Sequence, residues 1–246
     1  MNLNHFQNTR MELLKLITTR QFPDNRLPSE TELARMMRVS IVTLRQALTM
    51  LAAEGYITKR QGLGNFVHRS ALNLDMRTDL TYCVENLLKI SGYPVEIRPW
   101  GLQESAADET EAQDLQVPPG EPLKEIRLLY LAADRPAALE IHRVPAAHFV
   151  RPVPPDIHIG RIDDFLWEYC EKELAHEMTT WVPLLADHPL QTLFGLAPET
   201  PLLGWDQIIY DNRDMGVSHT RTFFNPEIIR PRSLRKWNFG PRLGDG

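Results

Sequence analysis

The 246-residue chain has little cysteine, Cys83 and Cys170 being the only two. Two distant cysteines cannot build a disulfide framework or a Cys-x-x-Cys metal site, and such scarcity fits a reducing, cytoplasmic setting. No apolar stretch approaches the ~20 residues that a bilayer-spanning helix needs. The opening Met1-Asn2-Leu3-Asn4-His5-Phe6-Gln7 lacks the charged region and apolar core of a secretory signal. Internal repeats and low-complexity tracts are missing as well. The eight histidines form no His-Glu-x-x-His pattern, and neither a Gly-x-Ser-x-Gly elbow nor a phosphate-binding loop is present. These absences argue against a membrane protein, a metal hydrolase, a serine hydrolase and a nucleotide-binding enzyme. No cofactor is expected. What remains is ordinary globular composition, with 43% hydrophobic and 24% charged residues.

The net charge of −5 conceals a division. Residues 1–70 carry ten Lys/Arg against five Asp/Glu, whereas the remainder carries 17 against 27. A +5 module is therefore joined to a −10 module, and a basic module suggests a polyanionic partner such as nucleic acid. Proline divides the same way, with two before residue 71 and seventeen after it. Two domains are expected: residues 1–70, a linker at 71–78, and residues 79–246.

In the first module, Phe6, Leu13, Leu14 and Ile17 share a helical face, which predicts a helix over 5–20. Ser29 with Glu32 three residues later has the capping-box pattern, and Ser40 is a second N-cap candidate. The spacing of Leu44, Ala47, Leu48 and Leu51 predicts a third helix over 41–53 that ends at Gly55. Residues 56–60 and 65–67 read as strands around Gln61-Gly62-Leu63-Gly64. Three helices and a hairpin make a winged helix-turn-helix. Its second short helix suits the major groove, and Arg35, Arg38, Arg45, Lys59 and Arg60 supply charge for phosphates.

Leu-Pro-Ser-Glu (27–30), Glu-Leu-Ala (32–34), Val-Ser (39–40), Thr-Leu-Arg-Gln-Ala-Leu (43–48), Glu-Gly-Tyr-Ile (54–57) and Arg-Gln-Gly-Leu-Gly-Asn-Phe-Val (60–67) follow one another in order. Together they resemble the DNA-binding domain of the GntR family of bacterial transcription regulators over about residues 5–68. The resemblance implies that Ser40, Thr43 and Arg45 touch DNA from the recognition helix, and that the wing with Gln61, Gly62 and Gly64 enters the minor groove. Ser29, Thr31 and Arg35 join them as DNA-binding candidates. Family members usually carry arginine where this chain has Thr31 and Ile41, which sets the usual operator sequence in question but not DNA binding.

The acidic part reads as α+β with a mostly antiparallel sheet. Strands are expected at 94–102, 123–132, 136–144, 202–211 and 216–224, and helices at 105–116, 162–174 and 190–196. Glu111-Ala112, Pro119-Gly120-Glu121-Pro122-Leu123, Leu139-Glu140, Val144-Pro145, Leu193-Phe194-Gly195-Leu196 and Pro201-Leu202-Leu203 resemble landmarks of the UTRA domain of the HutC branch. That resemblance implies a chorismate-lyase-like fold with a pocket for a small polar metabolite, and places Glu140 where an acidic residue often meets ligand. Alternation puts His142 on the face of Glu140, and Ser218 with Thr220 on another strand. Arg127 and Tyr130 sit on the strand where sugar-phosphate-binding relatives keep arginines, but on opposite faces.

The resulting expectation is a transcription regulator, a repressor that binds palindromic double-stranded operator DNA as a homodimer and answers to a small-molecule effector, with no membrane association. Two other readings stay open: a chorismate-lyase-like enzyme tethered to a DNA reader, and a module that recruits a protein partner to DNA. Ile41 offers a first test. Isoleucine can pack against a thymine methyl but cannot make the bidentate contact of arginine to guanine. In binding-site selection, Ile41→Arg should move one position of each half-site toward guanine; identical preferences for both proteins would exclude Ile41 from readout.

Overall fold

The computed structural model describes residues 3–80, 83–154, 157 and 159–236. The chain forms two compact units, Met1–Thr81 with Pro231–Gly246, and Tyr82–Arg230. The first unit therefore extends past the expected boundary at residue 70 and takes back residues 231–236. The end of the expected second domain, from residue 237 onward, lies outside the described residues.

The first unit holds α1 (Leu3–Thr19), α2 (Glu30–Met37), α3 (Ile41–Ala53), the hairpin strands β1 (Ile57–Arg60) and β2 (Gly64–Val67), and α4 (Arg69–Leu72). Leu13, Ile17, Leu33, Leu44, Leu48 and Leu51 are fully buried in one core with Ile57 and Val67. The apolar spacing that defined the helices is thus the spacing that fills the core. Both predicted caps form. Ser29 Oγ accepts from the Glu32 amide at 3.3 Å while Glu32 accepts from the Ser29 amide at 3.0 Å, and Ser40 Oγ accepts from the Thr43 amide at 3.1 Å. The link between α2 and α3 passes through Arg38 at φ 55°, a left-handed position without glycine to mark it in the sequence.

Residues 231–236 return to this unit. Arg77 and Arg232 form a parallel bridge, Arg77 donates to the Glu54 carbonyl at 2.8 Å, and Lys236 donates to the Ala52 carbonyl at 2.9 Å. These carbonyls close the C-terminal end of α3, where helix carbonyls lack intrahelical donors and cations are favoured.

The second unit contains α5 (Val84–Ile90), β3 (Val95–Ala106), α6 (Glu109–Leu115), β4 (Pro122–Ala132), β5 (Arg135–Pro145), α7 (Ile162–Cys170), β6 (Leu174–Leu185), α8 (His188–Phe194), β7 (Pro201–Asp211) and β8 (Gly216–Phe224). Its six strands pair antiparallel in the order β3-β4-β5-β8-β7-β6. Two predicted hairpins, β4–β5 and β7–β8, form the middle.

Several expectations differ. The helix predicted at 105–116 covers 109–115, because Asp108 accepts from the Glu111 amide and starts it there, while β3 runs on to Ala106. The helix predicted at 162–174 stops at Cys170, where Glu171 turns left-handed at φ 50°. β6 and α5 were not anticipated.

Gly55 gives this account a stability test. Its φ is +80°, and a Cβ there would lie 2.5 Å from Leu234 Cδ2 in the returning segment. Gly55→Ala should cost about 1–2 kcal/mol in backbone strain and more if Leu234 cannot yield, read as a lower Tm; an unchanged Tm would show that the end of the chain does not pack against Gly55.

Candidate DNA interface and effector pocket

On the first unit, the candidate DNA-facing side chains fall together around the start of α3 and the wing. Ile41 is 40% exposed on the first turn of α3. It faces outward rather than into the core. Thr31, Arg35, Ser40 and Arg45 are exposed, as are the wing residues Gln61, Gly62, Leu63 and Gly64, and Thr43 is half-exposed. Gly62 and Gly64 have φ of +72° and +103°, so the wing needs glycine for its turn, and a Cβ at Gly62 would meet nothing within 4 Å.

The serines do structural work. The Ser29 hydroxyl is engaged with Glu32, and its hydrogen bonds are the chief cause holding the Glu32 carboxyl below the usual carboxylate range. The Ser40 hydroxyl lies 2.8 Å from Thr43 Oγ1. Arg45 donates to Glu30 Oε2 at 2.7 Å, which ties α3 to the first turn of α2. That pair is exposed, and such pairs contribute little stability, so the guanidinium can exchange Glu30 for a phosphate or base edge at small cost. A groove of about 840 Å³ separates the start of α2 from the wing and is bordered by Arg26, Lys59 and Arg60.

On the second unit, the two faces of the sheet differ sharply. The register sets Glu140 opposite Thr222, and His142 opposite Thr220, across the β5–β8 pairing. Tyr130 Oη donates to Glu140 Oε2 at 2.5 Å and Thr222 Oγ1 to Glu140 Oε1 at 3.4 Å. Burial and the adjoining Glu140 carboxylate raise the Tyr130 phenol far above its ordinary range, so it stays a donor at all physiological pH. His142 is 1% exposed, with Nδ1 2.9 Å from Thr220 Oγ1. Tyr130, Glu140, His142 and Thr220 line a cavity closed from the other side by Cys83 and Glu85 of the α5 end and by residues 160–163. The cavity volume is about 40 Å³.

Not every predicted pocket residue reaches it. Arg127 occupies the opposite face, where Nε donates to Glu125 Oε1 at 2.6 Å. There it belongs to a charged ladder in which Arg143 joins Glu125, at 2.8 Å, to Glu111. Ser218 is fully buried and bonded to Thr220 at 3.1 Å, but is not among the lining residues. Tyr130, Glu140, His142 and Thr220 do line the cavity.

Sequence reading missed Glu177, Gln207 and Arg161, which also line it. Glu177 sits on the unanticipated strand β6 and accepts from Gln207 Nε2 at 3.1 Å. Burial, followed by the repulsion of Glu140, lifts its carboxyl to about 7. Arg161 donates to Asp163 at 2.9 Å. Only the alternation around Gln207 and Ile209 could have signalled this side of the cavity.

A raised carboxyl has a definite sign. Protonated Glu177 suits its surroundings, and the folded state loses stability as pH climbs from the ordinary 4.5 through about 7. Glu177→Gln should therefore raise Tm near about pH 8 and leave it almost unchanged near about pH 5. Equal shifts at both values would contradict this account of Glu177.

The comparisons with known proteins agree with both halves. Residues 10–67 match the model for bacterial regulatory proteins of the gntR family, and residues 92–230 match that of the UTRA domain. The chain is 33% identical over 212 residues to the HTH-type transcriptional repressor NagR of Bacillus subtilis, covering 82% of each. It is 28% identical over 125 residues, about half of each chain, to the histidine utilization repressor of Klebsiella aerogenes. The crystal structure of YydK from Bacillus subtilis shares the fold, with a TM-score of 0.73 at 16% identity, covering 96% of this chain and 100% of that one.

Proposed function

The chain belongs to the gntR family of bacterial regulatory proteins and carries a UTRA domain, and from that premise we propose that it is a metabolite-released repressor acting as a homodimer in the cytoplasm. That it is a transcription regulator and not an enzyme follows from the family and from its regulator relatives. The tethered-lyase reading has no support. The observation that carries the finer reading is the pairing of two separate constellations in one chain: an outward-facing recognition surface on α3 and a buried polar cavity on the sheet.

For the DNA side, Arg45, Ile41 and Thr43 read base edges, Ser40 contributes alongside its capping role, and Thr31 and Arg35 approach from α2. The wing residues Gln61, Gly62 and Gly64 approach the minor groove. A two-fold operator requires two copies of α3, so the reading requires a dimer. Support comes from β6. This twelve-residue strand ends one side of the sheet, and its Met178, Trp181 and Leu185 are 53%, 40% and 61% exposed. Long apolar edges of this kind are ordinarily covered. On the effector side, Glu140, His142, Tyr130 and Thr220 meet a small polar metabolite. Among the described residues no helix is long and apolar enough to cross a membrane.

Two substitutions separate the halves. Arg45→Ala should weaken operator binding by roughly 1–3 kcal/mol and leave ligand-induced stabilisation intact, since alanine favours helix. Glu140→Gln should retain ligand-free operator affinity and lose the response to the metabolite that releases DNA. Gel shifts on an operator obtained by binding-site selection, run with and without that metabolite, read both. A normal response in Glu140→Gln, or unchanged operator affinity in folded Arg45→Ala, would reject the corresponding assignment.

A further inference from the structure

The charges around the cavity do not balance. Arg161 is committed to Asp163, and Lys89 to Glu85. Among the described ion pairs no Lys or Arg reaches Glu140 or Glu177. His142 adds an independent sign. Its Nε2 is fully buried and makes no hydrogen bond, although Glu140 Oε2 lies 3.4 Å away in poor alignment. The tautomer that donates Nδ1–H to Thr220 leaves Nε2 a lone-pair acceptor. A buried polar atom left unpaired is costly and calls for a partner. Two carboxyl groups therefore border one cavity, together with an imidazole nitrogen that accepts in the tautomer donating Nδ1–H to Thr220. Among the described residues, Tyr130, Thr222 and Gln207 donate to these two carboxyl groups.

We propose, on the reading of this cavity as the effector site, that it receives a primary ammonium group, so that the effector is a small metabolite whose –NH3+ head enters among Glu140, Glu177 and His142. An ammonium has three donors and no acceptor, the complement of that set. Its charge would compensate the Glu140 carboxylate and favour ionisation of Glu177, in a site where unpaired charge is expensive. Size agrees. A cavity of about 40 Å³ has room for a compact head group, since roughly 10–15 Å³ by the same measure admits one water. Arg127 lies on the far face, and an anionic head could reach Arg161 only by displacing Asp163 beside two further carboxyl groups.

The smallest probe is methylammonium. The full-length protein is titrated with methylammonium chloride and followed by thermal denaturation, with sodium chloride at equal ionic strength and sodium phosphate as the other arms. Methylammonium should raise Tm saturably, with half-saturation in the millimolar range suited to a two-atom ligand, and should do so at least tenfold more weakly in Glu177→Gln. That variant keeps the Gln207 contact through its amide oxygen, and its own Tm reports that it folds. Methylammonium acting no better than sodium chloride, or equally on Glu177→Gln, overturns the proposal. Stabilisation by phosphate alone also overturns it and leaves the effector reading standing. If methylammonium binds as described while Glu140→Gln still releases operator normally, the ammonium site stands and the effector reading is what fails.

Discussion

The pairing of β5 with β8 is the constraint on which the second unit depends. It joins two locally closed hairpins, β4–β5 and β7–β8, into one six-stranded sheet. Its register places Glu140 against Thr222 and His142 against Thr220. Because side chains alternate strictly along a strand, a slip of one residue would exchange faces. Ile141 and Arg143 would then enter the cavity, while Glu140 and His142 would meet Glu111 and Glu125, stripped of their Arg143 partner. Burying Glu140 without Tyr130 and Thr222 as donors would cost several kcal/mol. The correct register therefore satisfies both polar faces at once.

The first unit rests on shorter-range order. Two serine caps set where α2 and α3 begin, and one left-handed residue, Arg38, sets the angle between them. The Arg45–Glu30 pair spans the two helices without burying charge. The far end of α3 is held by different means: Arg77 and Lys236 donate to its terminal carbonyls, and Arg77 also lies over the Tyr56 ring at 5.0 Å. The chain crosses between the units twice, near residues 81 and 231, and both crossings adjoin this anchored segment. The recognition helix is thus fixed by its own sequence at one end and by the returning chain at the other.

Legibility followed the range of the forces involved. Helix starts at Ser29 and Ser40, the glycine wing and the two hairpins are written in neighbouring residues, and the sequence disclosed them. β6 was hidden for a physical reason. Its Leu174-Ala175-His176-Glu177-Met178 opening carries helix formers, Pro183 interrupts it, and most of its side chains are exposed on a sheet edge, so no alternation marks it. Glu177 was lost with the strand. Glu171 ended the preceding helix in a left-handed conformation without a glycine to announce it. Arg127 was visible as a face ambiguity beside Tyr130, but the choice required knowing that Glu125 and Arg143 form a ladder across the sheet. The unpaired Nε2 of His142 belongs to no local pattern at all.

The account holds that one metabolite and one operator compete through two conformations of the same molecule, which makes their coupling reciprocal. The direct measurement is a closed thermodynamic cycle: operator affinity with and without saturating metabolite, and metabolite affinity with and without saturating operator, in one buffer. The predicted result is that each ligand weakens the other by the same factor, well above one. A metabolite that binds the cavity with equal affinity in the presence and absence of operator would contradict the claim that this sheet governs the recognition helix.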